Sequence, residues 1–175
     1  MHVLYAGAMH ATITLLIVYH SHTGGTRQMV EAAVAGAQAG DSGVEVRLLR
    51  APEAQVADVL AADGYLFATP ENLAAVSGLL KDFFDRTYYG ALDRINGRPY
   101  ASLVCAGSDG TNATRQIARI ATGWRLRPVA DPLIVCTHAQ TPEAILAPKQ
   151  IGPADLERCR ALGEAMAAGL GMGVF

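Results

Sequence analysis

Three short segments of this chain carry the residue types that chemistry needs, and each follows a run of aliphatic or β-branched residues. The first reads His20-Ser21-His22-Thr23-Gly24-Gly25-Thr26-Arg27. Hydroxyls at Ser21, Thr23 and Thr26 beside two glycines suit a phosphate monoester. N–H groups at a helix start point outward, the helix dipole favours an anion, and glycine lets the backbone come close. A Walker-type loop would need a lysine that this segment lacks, and it holds no GxGxxG of a dinucleotide fold. An ordinary strand-to-helix loop capped by Ser or Thr is the plainer alternative. The second segment, Thr69-Pro70-Glu71-Asn72-Leu73, leads through Ser77-Gly78 toward a helical pattern. The third, Gly107-Ser108-Asp109-Gly110-Thr111-Asn112, is a tight turn able to donate backbone N–H groups. A helix N-cap by Ser108 or Asp109 explains it equally well.

Other reactive side chains fit poorly into a site of their own. Cys105 precedes Ala-Gly-Ser-Asp-Gly-Thr, and a phosphocysteine loop would need arginine where Thr111 stands, so Cys105 reads as a small buried hydrophobe. His20-x-His22 has no third ligand near it in sequence, so no metal is expected. His138 reads as a solvated loop histidine, and Trp124 as core or interface. No nucleophile triad is recognisable.

The elements that must position these loops alternate strand with helix. Ile13–Tyr19 is apolar nearly throughout, as a strand covered on both faces should be. Met29, Val30, Ala33, Val34 and Ala37 recur at helical spacing until Gly40 and Gly43 stop them. Val44–Leu49 reads as a second strand, Pro52–Ala62 as a short helix with proline at its start, and Gly64–Thr69 as a third strand ended by Pro70. Leu79, Leu80, Phe83 and Phe84 mark a helix face, Tyr100–Ala106 a fourth strand, and Ile117, Ile120, Ala121 and Trp124 a further helix. Pro132–Cys136 is the last strand and Pro153–Leu170 the last helix, while Thr137–Gly152 has no clear assignment. The pattern predicts an α/β fold: a doubly wound, five-stranded parallel sheet of order 2-1-3-4-5 with helices on both faces. In that topology the ligand crevice lies beyond the carboxyl ends of the first and third strands, so all three loops should converge there.

Composition narrows the function classes. With 16 acidic and 14 basic side chains, net charge -2, the chain has no large field of either sign. That argues against nucleic acid or a membrane surface as partner. The 51% hydrophobic content excludes intrinsic disorder. Three cysteines without CxxC spacing argue against a disulfide framework, making a reducing cytoplasm the expected compartment. Residues 1–11 are expected to be a loosely ordered extension, with neither the basic start of a signal peptide nor a spanning helix, and 12–175 a single domain.

Ile17-Val18-Tyr19-x-Ser21-x-x-Gly24-x-Thr26 resembles the phosphate loop of the flavodoxin superfamily, which binds flavin mononucleotide (FMN). Thr69-Pro70-Glu71, six residues, then Gly78-x-Leu80-Lys81-x-x-x-Asp85 resembles the flavin loop of the NAD(P)H-dependent FMN and quinone reductases, and Ser77-Gly78 resembles the quinone reductases like the tryptophan-repressor-binding protein. The resemblance implies a flavodoxin-like domain with FMN held by Ser21, His22, Thr23, Gly24, Gly25 and Thr26. It further implies ring contacts from Thr69, Pro70, Glu71, Asn72, Leu73 and Ser77, with Glu71 and Asn72 near the pyrimidine edge, and from Gly107, Ser108, Asp109 and Gly110. Where the reductases usually show Tyr, Asn and Gly, this chain has Asn72, Leu73 and Ala74. The implied activity is transfer of reducing equivalents from NAD(P)H through the flavin to a quinone, a flavin or a similar small acceptor, in a homodimer or homotetramer. A flavodoxin-type electron carrier and a flavin-binding module without turnover are the alternatives. Carriers tend to be strongly acidic and to cover the ring with aromatics, whereas this chain has none at 70–78 or 107–112.

Overall fold

The computed structural model describes residues 12–175, and the expected N-terminal extension lies outside the described residues. In chain order the elements begin with β1 (Ile13–Tyr19), α1 (Gly25–Ala39), β2 (Val44–Arg50), α2 (Val56–Ala61) and β3 (Gly64–Asn72). β4 (Ala75–Val76), α3 (Gly78–Ala91), β5 (Pro99–Ala106) and α4 (Thr111–Gly123) follow. β6 (Arg127–Pro128), β7 (Leu133–Cys136), α5 (Pro142–Leu146) and α6 (Pro153–Met172) complete the chain. The sheet is ordered β2-β1-β3-β5-β6, with β7 also paired to β5 and the short β4 antiparallel to β3. The other pairings are parallel. This is the doubly wound α/β architecture, with its fifth position shared by β6 and β7. The register against β5 passes from Pro99↔Arg127 to Leu103↔Leu133, so the last strand gains extra residues between Pro128 and Pro132. Both prolines lack the N–H that a continuous ladder needs.

Alternation of side chains sorts the strands between two cores. Leu15, Ile17, Leu66, Ala68, Leu103 and Cys105 pack against Met29, Val30 and Ala33 of α1 and Cys159 and Met166 of α6. Leu16, Val18, Tyr65, Phe67 and Val104 face Val59 of α2, Phe83 and Phe84 of α3, and Ile117 of α4. Trp124 is fully buried in this second core, stacked on Tyr88 with ring centroids 5.7 Å apart. Both faces of the central strands are covered, which is why they read as unbroken apolar runs.

The structure departs from the sequence reading at several points. Residues 51–53 form a turn rather than the first turn of α2, which starts at Val56 because Gln55 and Asp58 close a capping box there. β3 passes through Pro70 to Asn72 because its end pairs with β4, a hairpin that the sequence did not announce. Leu79 lies on the exposed side of α3, whose buried face is Leu80, Phe83, Phe84 and Thr87. The unassigned connection holds α5, with none of its residues buried. At the other end α6 runs past Leu170 to Met172, and the Phe175 ring folds back against Gly169.

Candidate functional site

α1 begins where the first loop turns into the helix. Gly24 is its N-cap at φ +90, a left-handed conformation that glycine adopts without penalty, and as a glycine it brings no capping side chain. The Ser or Thr cap entertained from sequence is therefore not the arrangement found, although Ser21 Oγ does accept the Arg27 N–H at 3.2 Å. A helix start leaves four N–H groups without intrahelical carbonyls. Here Ser21 takes one, and those of Gly24, Gly25 and Thr26 have no partner among the described residues. Gly25 is buried, and a Cβ there would lie 2.6 Å from Cys105 Sγ, so the helix start is set tightly onto the carboxyl end of β5. The Thr26 hydroxyl is buried without a partner among the described residues. A buried unpaired hydroxyl is costly. Beside three free amides at a positive helix end, it is the chemistry of a phosphate cradle, and the residues present fit a flavin phosphate there.

Two cavities meet at this loop, sharing Thr23. One, of about 300 Å³, is the cleft between the second and third loops, and its walls include Pro70, Glu71, Asn72, Leu73, Gly107 and Ser108. The other, of about 570 Å³, lies on the opposite side of the phosphate loop against Ser21, His22 and Gly24. The structure thus gathers loops one, two and three at the switch point between β1 and β3, as the topology requires.

Not every expected contact residue opens onto the cleft. Thr69 and Ser77 are both fully buried and bond to each other: the Ser77 N–H donates to Thr69 Oγ1 at 3.0 Å, and the two hydroxyls lie 3.1 Å apart. Ser77 also caps α3 by accepting the Leu80 N–H at 3.4 Å. Their geometry is that of a clip across the base of the hairpin. Glu71 stands at the cleft, yet its carboxylate accepts the N–H of Gly110 at 2.9 Å and of Ala113 at 3.3 Å. It is thereby the cap of α4, a role the sequence had offered to Ser108 or Asp109. Gly110 is the N-cap residue at φ +84, with no cap from those side chains. Asp109 instead accepts from the Thr111 hydroxyl. Asn72 and Leu73 are exposed at the hairpin tip, where Leu73 and Ala74 have φ of +50 and +60.

The unassigned connection proves to be part of the site. Thr137, Ala139, Gln140, Ile145 and Lys149 line the smaller cavity, and Leu146 and Pro148 the larger. Gln28 holds this strap to α1, donating to the Lys149 carbonyl at 2.7 Å and accepting the Ile151 N–H at 3.1 Å. The Lys149 N–H donates to the Thr23 carbonyl at 2.8 Å, and its ammonium caps the end of α5 through the carbonyls of Ala144 and Ile145. Only proximity in space reveals these residues. Burial, then the nearby charges of His22 and Arg50, lowers the pKa of His20. Burial pushes the Cys105 thiol up to about 11, which leaves it a packed neutral group at the cleft floor.

Residues 51–141 match the model of the NADPH-dependent FMN reductase family. A flavodoxin of Aquifex aeolicus is 37% identical over 94 residues, covering 54% of this chain and 48% of that protein. An NAD(P)H dehydrogenase (quinone) of Acidithiobacillus ferrooxidans is 33% identical over 93 residues, covering 42% and 46%. The chain thus spans about half the length of the curated relatives it matches. Among solved structures, an archaeal flavodoxin superposes with a TM-score of 0.71 at 18% identity, covering 90% of this chain and 99% of its own. A WrbA-like flavodoxin protein from Agrobacterium tumefaciens superposes with a TM-score of 0.64 at 20% identity, covering 90% and 97%. At such identities these structures establish the flavodoxin-like fold.

Proposed function

The chain belongs to the NADPH-dependent FMN reductase family, and from that premise we propose that it is an FMN-dependent oxidoreductase that draws electrons from NAD(P)H and reduces a quinone, a free flavin or a similar small acceptor. The observation that supports the reading most is the start of α1, where the amides of Gly24, Gly25 and Thr26 lack intrahelical carbonyls and the buried Thr26 hydroxyl has no partner among the described residues. The chemistry a bound flavin supplies is two-electron transfer between a reduced nicotinamide and an acceptor. The chain's own residues bind and orient. Gly24, Gly25 and Thr26 hold the phosphate, and Ser21 keeps the loop closed through Arg27. Glu71 fixes the second loop to the third, so that Pro70, Asn72, Gly107 and Ser108 form a rigid slot for the ring. The strap at 137–149 shields one flank from water.

No Phe, Tyr or Trp lines that slot among the described residues, so a planar acceptor or nicotinamide has access to a ring face. This supports turnover over single-electron shuttling. The carrier reading draws support from the Aquifex aeolicus flavodoxin relative. Purified protein reconstituted with FMN and mixed anaerobically with NADH or NADPH separates the two. Rapid loss of the yellow absorbance is the expected result, and persistence of the oxidised spectrum with both nicotinamides favours the carrier. Thr26→Val should weaken FMN binding roughly tenfold by removing one charge-assisted hydrogen bond. Unchanged affinity would remove the cradle. We extend the proposal to a homo-oligomer, a dimer or tetramer, in which a second copy closes the open side of the slot; sedimentation at the mass of a single 18.4 kDa protomer would contradict it.

A further inference from the structure

A further groove, of about 530 Å³, shares no lining residue with the cleft or with the cavity at the phosphate loop. Its apolar surface comes from Ala75 and Val76 of β4 and Ile120 of α4. Gln116 fastens these elements together by accepting the Val76 N–H at 2.8 Å, so the groove has a fixed shape. Gly78, the first residue of α3, leaves it open, since a Cβ there would meet nothing within 4 Å.

Charge at this groove is one-sided. Lys81, Arg115 and Arg119 line it and, among the described residues, no carboxylate does, in a chain whose net charge is -2. Lys81 reaches Asp85 at 2.7 Å, but both ends of that pair are exposed and it carries little energy. Arg115 and Arg119 make no ion pair among the described residues. They stand one turn apart on α4, the spacing at which carboxylates of a second helix laid alongside would recur. Apolar surface beside unpaired cations is complementary to an amphipathic segment with acidic edges. A second copy of this chain fits poorly: a symmetric contact would set these arginines against their own equivalents, and like charges across an interface repel.

We propose that this groove docks an acidic amphipathic helix of another protein, with its apolar side chains on Val76 and Ile120 and its carboxylates on Arg115 and Arg119. The inference does not depend on the flavin reading, and the open side of the slot, where a second copy is proposed, is a different surface. β4 pairs with the end of β3, and Pro70, Glu71 and Asn72 of that strand wall the slot. The docked helix would therefore lie against the same hairpin that shapes the slot.

The test is fluorescence anisotropy of a labelled peptide of about 18 residues, titrated with the full chain at low salt. The peptide carries leucines along one helical face and glutamates flanking them; one control scrambles its order, and another replaces each glutamate with lysine. Saturable binding of the acidic peptide is expected, weakened about tenfold or more both by the double reversal Arg115→Glu with Arg119→Glu and by Gly78→Leu, which fills the groove without touching its charge. The lysine peptide should prefer the charge-reversed chain. No saturable binding up to about 1 mM, equal binding of the scrambled peptide, or weakening by only one of the two variants overturns the proposal. An oligomer of the wild type that Gly78→Leu dissociates in sedimentation gives the groove to a second copy and overturns it as well. Gly78, Arg115 and Arg119 are exposed, so the variants should fold as the wild type does, and circular dichroism checks this.

Discussion

Leu73 and Ala74 stand at consecutive left-handed positions in the turn joining β3 to β4, the geometry of a type I′ hairpin that normally calls for Asn-Gly. Each residue with a Cβ there costs about 1–2 kcal/mol. The turn persists because its flanks are clipped: Asn112 donates to the Ala74 carbonyl at 2.5 Å, and the Val76 N–H donates to Gln116 Oε1 at 2.8 Å. Ala74→Gly should therefore raise stability by roughly 0.5–1 kcal/mol, net of the added freedom of the unfolded chain. A lower midpoint in urea would show that the turn carries no strain. His20 offers a pH test at the same scale. Its folded pKa is depressed below the ordinary 6.5, so the native state resists the proton that the unfolded chain accepts. Stability is then fully present above that value and is lost as pH falls from it through the folded pKa. Thermal melts between about pH 7.5 and 5 should show a decline that His20→Gln flattens, and parallel profiles for the two proteins would refute the assignment.

α1 and α6 pack closely because each presents a glycine to the other's backbone. A Cβ at Gly163 would lie 1.8 Å from the Ala33 carbonyl oxygen, and one at Gly36 would lie 1.9 Å from that of Arg160. Gly163→Ala should cost about 3 kcal/mol by forcing the helices apart, whereas Gly40→Ala, with open space around it, should be close to neutral. Because the start of α1 is the proposed phosphate cradle, the same variant should weaken FMN binding. Equal stability of the two variants in denaturant titrations would contradict the close contact. The glycines themselves are plain in the sequence, but their partners lie more than 100 residues away, so their packing role is not. The hairpin of β3 and β4 was hidden for a related reason: a proline and a pair of non-glycine turn residues mask its local signal.

Across the whole molecule, the charge is nearly balanced and both faces of the central sheet are covered. No helix among the described residues is long and apolar enough to cross a membrane. The order of strands, the two helical layers and the convergence of three loops could all be read from local pattern. Period, breakers and loop composition are properties of neighbouring residues, and right-handed crossovers leave few ways to assemble them. The candidate phosphate loop could be picked out from sequence as well, since hydroxyls, glycines and a helix start lie within eight residues. What only the folded chain decided were the pairings across distance. Glu71 became the cap of another helix, Thr69 and Ser77 closed on each other, and Lys149 and Gln28 drew a featureless connection over the site. A carboxylate or hydroxyl spends its hydrogen bonds on whichever buried amide it meets first, and that meeting is fixed by packing rather than by spacing along the chain.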